Sequence, residues 1–284
     1  MKMATENHIP FILQFVSGIK NGFLMLDETA QNEVRSFIES CQHPDGAFTD
    51  RGGNPDFYYS LFGVLIASAI DLKDLTDKHS DFIQQVEPPE KQGAMFFAYT
   101  LIRSFLSENN AQQPSILKLT RMLFNKSRNV NPGYQLFMWM LTFDFLYGKR
   151  QLILFPARIF LSVHRPTTDL PCSVVAAYAV ARYFSGLNVN NELKMLFSYF
   201  EEGKGFKMFR DVNHPDLLST AVALFALKTA GADFRLIVPD CLNLVQQNYA
   251  DGAFLSGDGD TTRDLEYTFY GLLTLGVLSQ YEQN

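Results

Sequence analysis

Asp216-Leu-Leu-Ser-Thr220 opens the run Ala-Val-Ala-Leu-Phe-Ala-Leu, and Asp264-Leu-Glu-Tyr-Thr268 opens Phe-Tyr-Gly-Leu-Leu-Thr-Leu. The two starts lie 48 residues apart. Two more copies stand upstream, Asp56-Phe-Tyr-Tyr-Ser60 and Asp169-Leu-Pro-Cys-Ser173, each leading into small and large apolar residues. An internal repeat of this length marks an array of helical hairpins, because a single hairpin cannot bury its own apolar face and stacks on a neighbour to do so.

Helical periodicity around these starts predicts two alternating series. One is amphipathic, at about 28–42, 76–86, 114–126, 150–162, 190–202 and 235–248, where Glu33, Arg35, Lys118, Arg121 and Lys194 interrupt the apolar positions. The other is apolar nearly all round, at about 56–71, 93–107, 133–147, 169–185, 216–230 and 264–280. Helices without a polar face are buried. Six buried and six half-exposed helices predict two concentric rings, with the apolar series inside. The expected fold is therefore all-α, a single α/α toroid over residues 1–284, with residues 1–27 as an N-terminal extension packing on the barrel. Inner-helix aromatics such as Tyr59, Tyr178, Phe269 and Tyr270 would then either wall an elongated axial pocket suited to a long apolar ligand or pack as ordinary core.

The bulk composition narrows the class. A chain of 284 residues with 47% hydrophobic content can bury a large core. Its net charge of −6 and scattered Lys and Arg offer no stripe to neutralise a phosphate backbone, so nucleic acid is excluded as a partner. Pro, Gly or a charge interrupts every apolar run before the length a bilayer needs, so no transmembrane segment is expected. The N-terminus has no signal-peptide pattern, and Cys41, Cys172 and Cys241 form an odd set without metal-type spacing. Reduced thiols in a cytoplasmic protein are the expectation.

Three loops between amphipathic and apolar helices place glycine just before an aromatic: Cys41-Gln-His-Pro-Asp-Gly-Ala-Phe48, Glu202-Gly-Lys-Gly-Phe206 and Gln247-Asn-Tyr-Ala-Asp-Gly-Ala-Phe254. Glycine permits a left-handed turn, after which the aromatic folds back as a plug. Each repeated aspartate stands at a predicted helix start, where a carboxylate accepts orphan backbone N–H groups. The same helix starts converge on one mouth, so the four aspartates share the rim expected to receive a ligand's polar end, and Asp169 and Asp264 are candidates for chemistry there. Arg51, Arg165, Arg210 and Arg263 each shortly precede an apolar helix. Together they would bind a diphosphate, or singly form surface ion pairs.

The segment Asp251-Gly-Ala-Phe-Leu-Ser-Gly-Asp-Gly-Asp-Thr-Thr-Arg263-Asp264-Leu-Glu-Tyr267-Thr268-Phe-Tyr-Gly-Leu-Leu resembles the last repeat of the protein prenyltransferase β-subunits, and more broadly the repeat of the squalene and terpenoid cyclases. Residues 35–70 and 197–231 match more weakly, and 75–165 match by period alone. The resemblance implies an α/α toroid with an isoprenoid-sized cavity, carbocation chemistry by prenyl transfer or cyclisation, and a helical partner subunit. It also implies a catalytic zinc, but the family's histidine position is Tyr267 here. Asp169 and Cys172 stand for the family's Asp–Cys pair, and with His214 they are the candidate metal ligands. Asp258-Gly-Asp260-Thr-Thr262 is similar to a variant of the cyclase acid motif, which makes Asp260 a candidate general acid, and to the aspartate associated with magnesium and diphosphate. The competing reading is a non-catalytic lipid-binding or scaffold protein that kept the toroid after losing the zinc site.

Overall fold

The computed structural model of the chain describes residues 9–90, 93–107, 113–125, 132–148 and 158–279. The helices alternate as the periodicity predicts. The amphipathic series is α2 (Glu28–Ser40), α4 (Lys73–Gln85), α6 (Ile116–Leu123), α8 (residues 158–163), α10 (Asn190–Phe197) and α12 (Val238–Gln247). The apolar series is α3 (Phe57–Ala69), α5 (Gly93–Leu106), α7 (Pro132–Tyr147), α9 (Cys172–Phe184), α11 (Leu217–Thr229) and α13 (Leu265–Leu278). They are preceded by α1 (Phe11–Leu24), an apolar helix inside the segment expected as an N-terminal extension. Residues 150–157 of the predicted fourth amphipathic helix lie outside the described residues. Among the described residues no helix is long and apolar enough to cross a membrane.

The chain forms two compact units, one built from residues up to Ser17 with Ile38–Arg150, the other from Gly18–Phe37 with Gln151 onward. In the first, the apolar helices pack in sequence, α3 on α5 and α5 on α7, while α4 lies against α3 and α5, and α6 against α5 and α7. In the second, α11 packs on both α9 and α13, α10 lies against α9, and α12 against α11 and α13. This placement is why the apolar helices lack a polar face. In α13 the run Thr268–Leu278 is buried without interruption.

A repeated loop module joins the two series. After α2, Gln42 and Phe48 pair across a turn; after α10, β1 (Phe200–Glu201) pairs with β2 (Gly205–Phe206); after α12, β3 (Tyr249–Ala250) pairs with β4 (Ala253–Phe254). Phe48, Phe206 and Phe254 are the buried plugs of these hairpins. Their backbone N–H groups donate to Ser60 Oγ at 3.2 Å, Thr220 Oγ1 at 3.1 Å and Thr268 Oγ1 at 3.3 Å. That contact explains the Ser or Thr four residues after each capping aspartate. Room for the ring is made one turn later: a Cβ at Gly63 would lie 2.5 Å from the Phe48 ring, and one at Gly271 2.3 Å from the Phe254 ring.

Each hairpin turn also abuts an amphipathic helix. A Cβ at Gly46 would come within 2.5 Å of Lys78 O in α4, one at Gly205 within 2.9 Å of the Leu244 side chain in α12, and one at Gly252 within 2.2 Å of Glu33 O in α2. Thus α2 stands to the last hairpin as α4 stands to the first. Tyr249 Oη donates to Glu33 Oε2 at 2.6 Å, adding a polar tie at the same place. The second half of α1 crosses α13 at van der Waals contact of backbones, since a Cβ at Gly276 would sit 1.8 Å from Gly18 O and one at Gly22 1.9 Å from Leu272 O.

Candidate functional site

Asp216 is set by three backbone constraints. Its N–H donates to Phe206 O at 3.0 Å, Pro215 before it bridges Lys207, and its own Oδ1 accepts the Ser219 N–H at 2.7 Å as the cap of α11. The loop of the next repeat then passes over this helix start. Ser256 O accepts the Leu217 N–H at 2.8 Å, and a Cβ at Gly257 would lie 3.3 Å from Pro215 O. The preceding repeat makes the same interlock, with Met208 O accepting the Cys172 N–H at 2.8 Å.

Covered in this way, Asp216 is only 3% exposed. Burial pushes its carboxyl up from 3.8 to about 6, the nearby Asp258 adds to the rise, and the Ser219 N–H opposes it. Asp216 Oδ2 has no hydrogen-bond partner, and neither has the buried Ser219 Oγ. The hydroxyl lies close enough to favour the charged carboxylate but does not meet hydrogen-bond geometry.

The covering loop carries its own acids. Asp258 Oδ1 accepts from Ser256 Oγ and from the Asp260 N–H, and Asp260 Oδ1 accepts the Thr262 N–H at 2.9 Å. Asp264 is buried and caps α13 by accepting the Tyr267 N–H at 2.8 Å. Tyr267 is half-buried and Tyr270 buried, with ring centroids 6.4 Å apart. Both phenols are pushed above their ordinary value, first by burial and then by Glu266, with Asp216 and Asp264 contributing. The candidate site is therefore an acidic, aromatic corner at the N-termini of α11 and α13. It can exchange a proton near pH 6 at Asp216, and its charge favours a cation over an anion.

Other predicted site residues lie elsewhere. Asp169 does not start a helix: it is exposed, and the cap position of α9 is Pro171, which offers no side-chain acceptor. The interlock explains the slip, because Cys172 occupies the place of Leu217 and so sets Pro171 opposite Asp216. Cys172 is buried, its thiol pushed well up by burial, with Sγ 3.9 Å from Ser219 O. His214 is exposed. Among the described residues no group of three or more His, Cys, Asp or Glu is placed to hold a metal ion, so Asp169, Cys172 and His214 are not brought together as ligands.

The four arginines are exposed. Arg210 Nε donates to Thr168 O at 3.1 Å; Arg263 Nη1 donates to Asp251 O at 3.2 Å, with its guanidinium 5.9 Å from the Phe37 ring centre. Tyr59 and Tyr178 are half-buried, whereas Phe269 is packed away. In the first unit, an open cleft of about 750 Å³ lies between the starts of α3 and α5, lined by Asp56, Phe57, Glu87, Pro88, Glu90 and Met95 among others.

Asp216 was legible in the sequence as a helix cap at the expected rim but not as a candidate acid. Its only further signal is the glycine-flanked Asp258, whose loop must lie over some other element. No protein-family model and no curated protein sequence matches the chain.

Proposed function

We propose that the chain is an α/α toroid of the prenyltransferase and terpenoid-cyclase kind, which holds an isoprenoid or similar lipid chain and handles a cationic centre at the acidic corner of the second unit. The head-to-tail contact of Gly252 with α2 supports ring closure, since it repeats the contact that each earlier hairpin makes with the amphipathic helix after it. Half-buried Tyr178, Phe225 and Tyr267 on α9, α11 and α13 supply aromatic surface for an apolar ligand.

The carrying observation is Asp216, a buried carboxyl raised to about 6 with one oxygen unpartnered. As a general acid it would pass its proton to one carbon of an alkene. The π electrons form the new C–H bond, and the positive charge left on the other carbon is stabilised by aromatic faces and the neighbouring carboxylates. In this reading Asp216 takes the role the resemblance gave to Asp260, whose Oδ1 is engaged by the Thr262 N–H. Zinc-dependent transfer has less support, because among the described residues Asp169, Cys172 and His214 do not form a three-residue metal-holding group, and Cys172 is buried while Asp169 and His214 are exposed. Cys41, Cys172 and Cys241 form no disulfide, which suits a cytoplasmic setting, and a helical partner subunit remains part of the proposal.

A second reading is lipid binding without catalysis. It is favoured by the capping role of Asp56, Asp216 and Asp264, which accounts for the repeated aspartate by stability alone. Incubating the protein with acyclic isoprenoids and analysing the extract by mass spectrometry separates the two. The first reading expects cyclised or hydrated product that Asp216→Asn abolishes while ligand binding persists. Binding without product in the wild type supports the second, and no binding at all contradicts both.

A further inference from the structure

Lys and Arg are spread along the chain, but Asp and Glu are not. Residues 109–168 hold eight of the 24 bases and one of the 30 acids, a basic stretch inside a chain of net charge −6. That single acid, Asp144, is engaged at the start of α1, where it accepts the Phe11 N–H at 2.8 Å. The stretch contains two amphipathic helices, α6 in the first unit and α8 in the second. Both differ from their counterparts. On α2 and α4 every exposed residue is polar, Asn32 and Glu39 or Asp77 and Asp81 among them. On α6, Leu119 and Met122 are buried, while Leu117 and Phe124 on the other side are 79% and 77% exposed, with exposed Arg121 on the same face. On α8, Leu161 is buried, while Ile159, Phe160 and Val163 are exposed, bracketed by exposed Arg158 and Arg165. A lone bare leucine needs no explanation. Here apolar side chains and uncompensated bases share the outward side of both helices in the acid-poor stretch, and that pairing is absent from α2 and α4.

An anionic lipid surface fits the pairing. Apolar side chains enter the boundary between head groups and acyl chains, where no matching shape is needed, and bases meet lipid phosphates at the same level. A nucleic-acid backbone would leave the apolar side chains in water. An acidic protein would need a contiguous patch of about 800 Å² on each partner, more than the two projecting side chains of α6 provide. We propose that the outward faces of α6 and of α8 each seat on an anionic membrane surface, lying in the interface without crossing it. On α6 the charge comes mainly from Arg121, since Glu90 holds Lys118 at 2.6 Å. Neither face belongs to the site at Asp216, so this docking stands or falls apart from the isoprenoid reading.

Flotation of the full chain with vesicles tests this, comparing phosphatidylcholine alone with phosphatidylcholine mixed with phosphatidylserine. Binding to the anionic vesicles should be about tenfold stronger than to the neutral ones and should weaken as salt is added. Two paired variants, Leu117→Ser with Phe124→Ser and Phe160→Ser with Val163→Ser, should each lower that binding about tenfold, the size of removing one large apolar anchor. All four side chains are exposed, so thermal melts should match the wild type. Arg121→Glu and Arg158→Glu should each reduce the preference for anionic over neutral vesicles. No vesicle binding, or equal binding to both compositions, overturns the proposal. So does binding that survives both serine pairs, which would place the contact on another surface. Capture of polyglutamate without capture of vesicles overturns it as well and assigns the faces to an acidic protein.

Discussion

Asp56 in the first unit and Asp216 in the second begin from the same local design and end in different environments. Each follows a proline, each donates its N–H to the carbonyl of a phenylalanine plug, and each caps an apolar helix through Oδ1. Asp56 gives that oxygen to two N–H groups, of Tyr58 at 2.7 Å and Tyr59 at 3.0 Å, and it opens on a cleft. Asp216 gives it to one and is roofed by the loop that carries Asp258. Burial raises the pKa of both, but only Asp216 is driven as far as about 6. The cap is thus the shared structural element, and a loop from the next repeat turns one copy of it into a candidate site.

The largest expected effect tests what the two regions share. If the plug module is a common scaffold, Phe48→Ala and Phe206→Ala should each lower unfolding stability by about 3–5 kcal/mol, the usual range for emptying a buried aromatic site. Denaturant titration measures both. A loss near zero at either position would break the equivalence.

Next comes the difference between the aspartates. A carboxyl with a raised folded-state pKa binds more protons folded than unfolded between the two values, so stability falls as pH rises through that window. For Asp216 the window runs from 3.8 to about 6. Its share of the loss is about 1–3 kcal/mol, fully present above that range. Thermal melts across pH should show the slope flattened by Asp216→Asn and much less altered by Asp56→Asn. An equal effect from both variants would mean that the covering loop adds nothing.

A smaller effect concerns the hydroxyls that hold the plugs. Ser60→Ala and Thr220→Val each leave a buried phenylalanine N–H without its acceptor, which should cost about 1–2 kcal/mol at both sites. The smallest belongs to Asp169, which is exposed and caps nothing. Asp169→Ala should change stability by less than about 0.5 kcal/mol. A loss as large as that of a cap would restore it to the repeated set.

Much of this architecture is legible in the residues. The alternation of helix types, the glycine turn and folded-back aromatic, and three of the four caps follow from local chemistry: periodicity, left-handed glycine and orphan N–H groups. The fourth cap, Asp169, is misread because spacing to Ser173 imitates the motif. The true register is fixed from a distance, by Met208 O on Cys172 N. The same kind of contact hides the candidate site. Nothing between Asp216 and Thr220 announces that Ser256 O and Asp258 will cover that helix start, because the covering residues belong to the following repeat. The direction of the arginines is hidden for a related reason: proximity to a helix start along the chain does not say which way a long side chain turns, and Arg210 donates to Thr168 O and Arg263 to Asp251 O.

The most direct test of this account is an NMR pH titration of the Asp216 side-chain carboxyl carbon in the full chain. The account predicts a midpoint near 6, moving down when Asp258→Asn removes the neighbouring charge. A midpoint at the ordinary carboxylate value of 3.8, insensitive to Asp258→Asn, would contradict it and leave Asp216 a helix cap like Asp56.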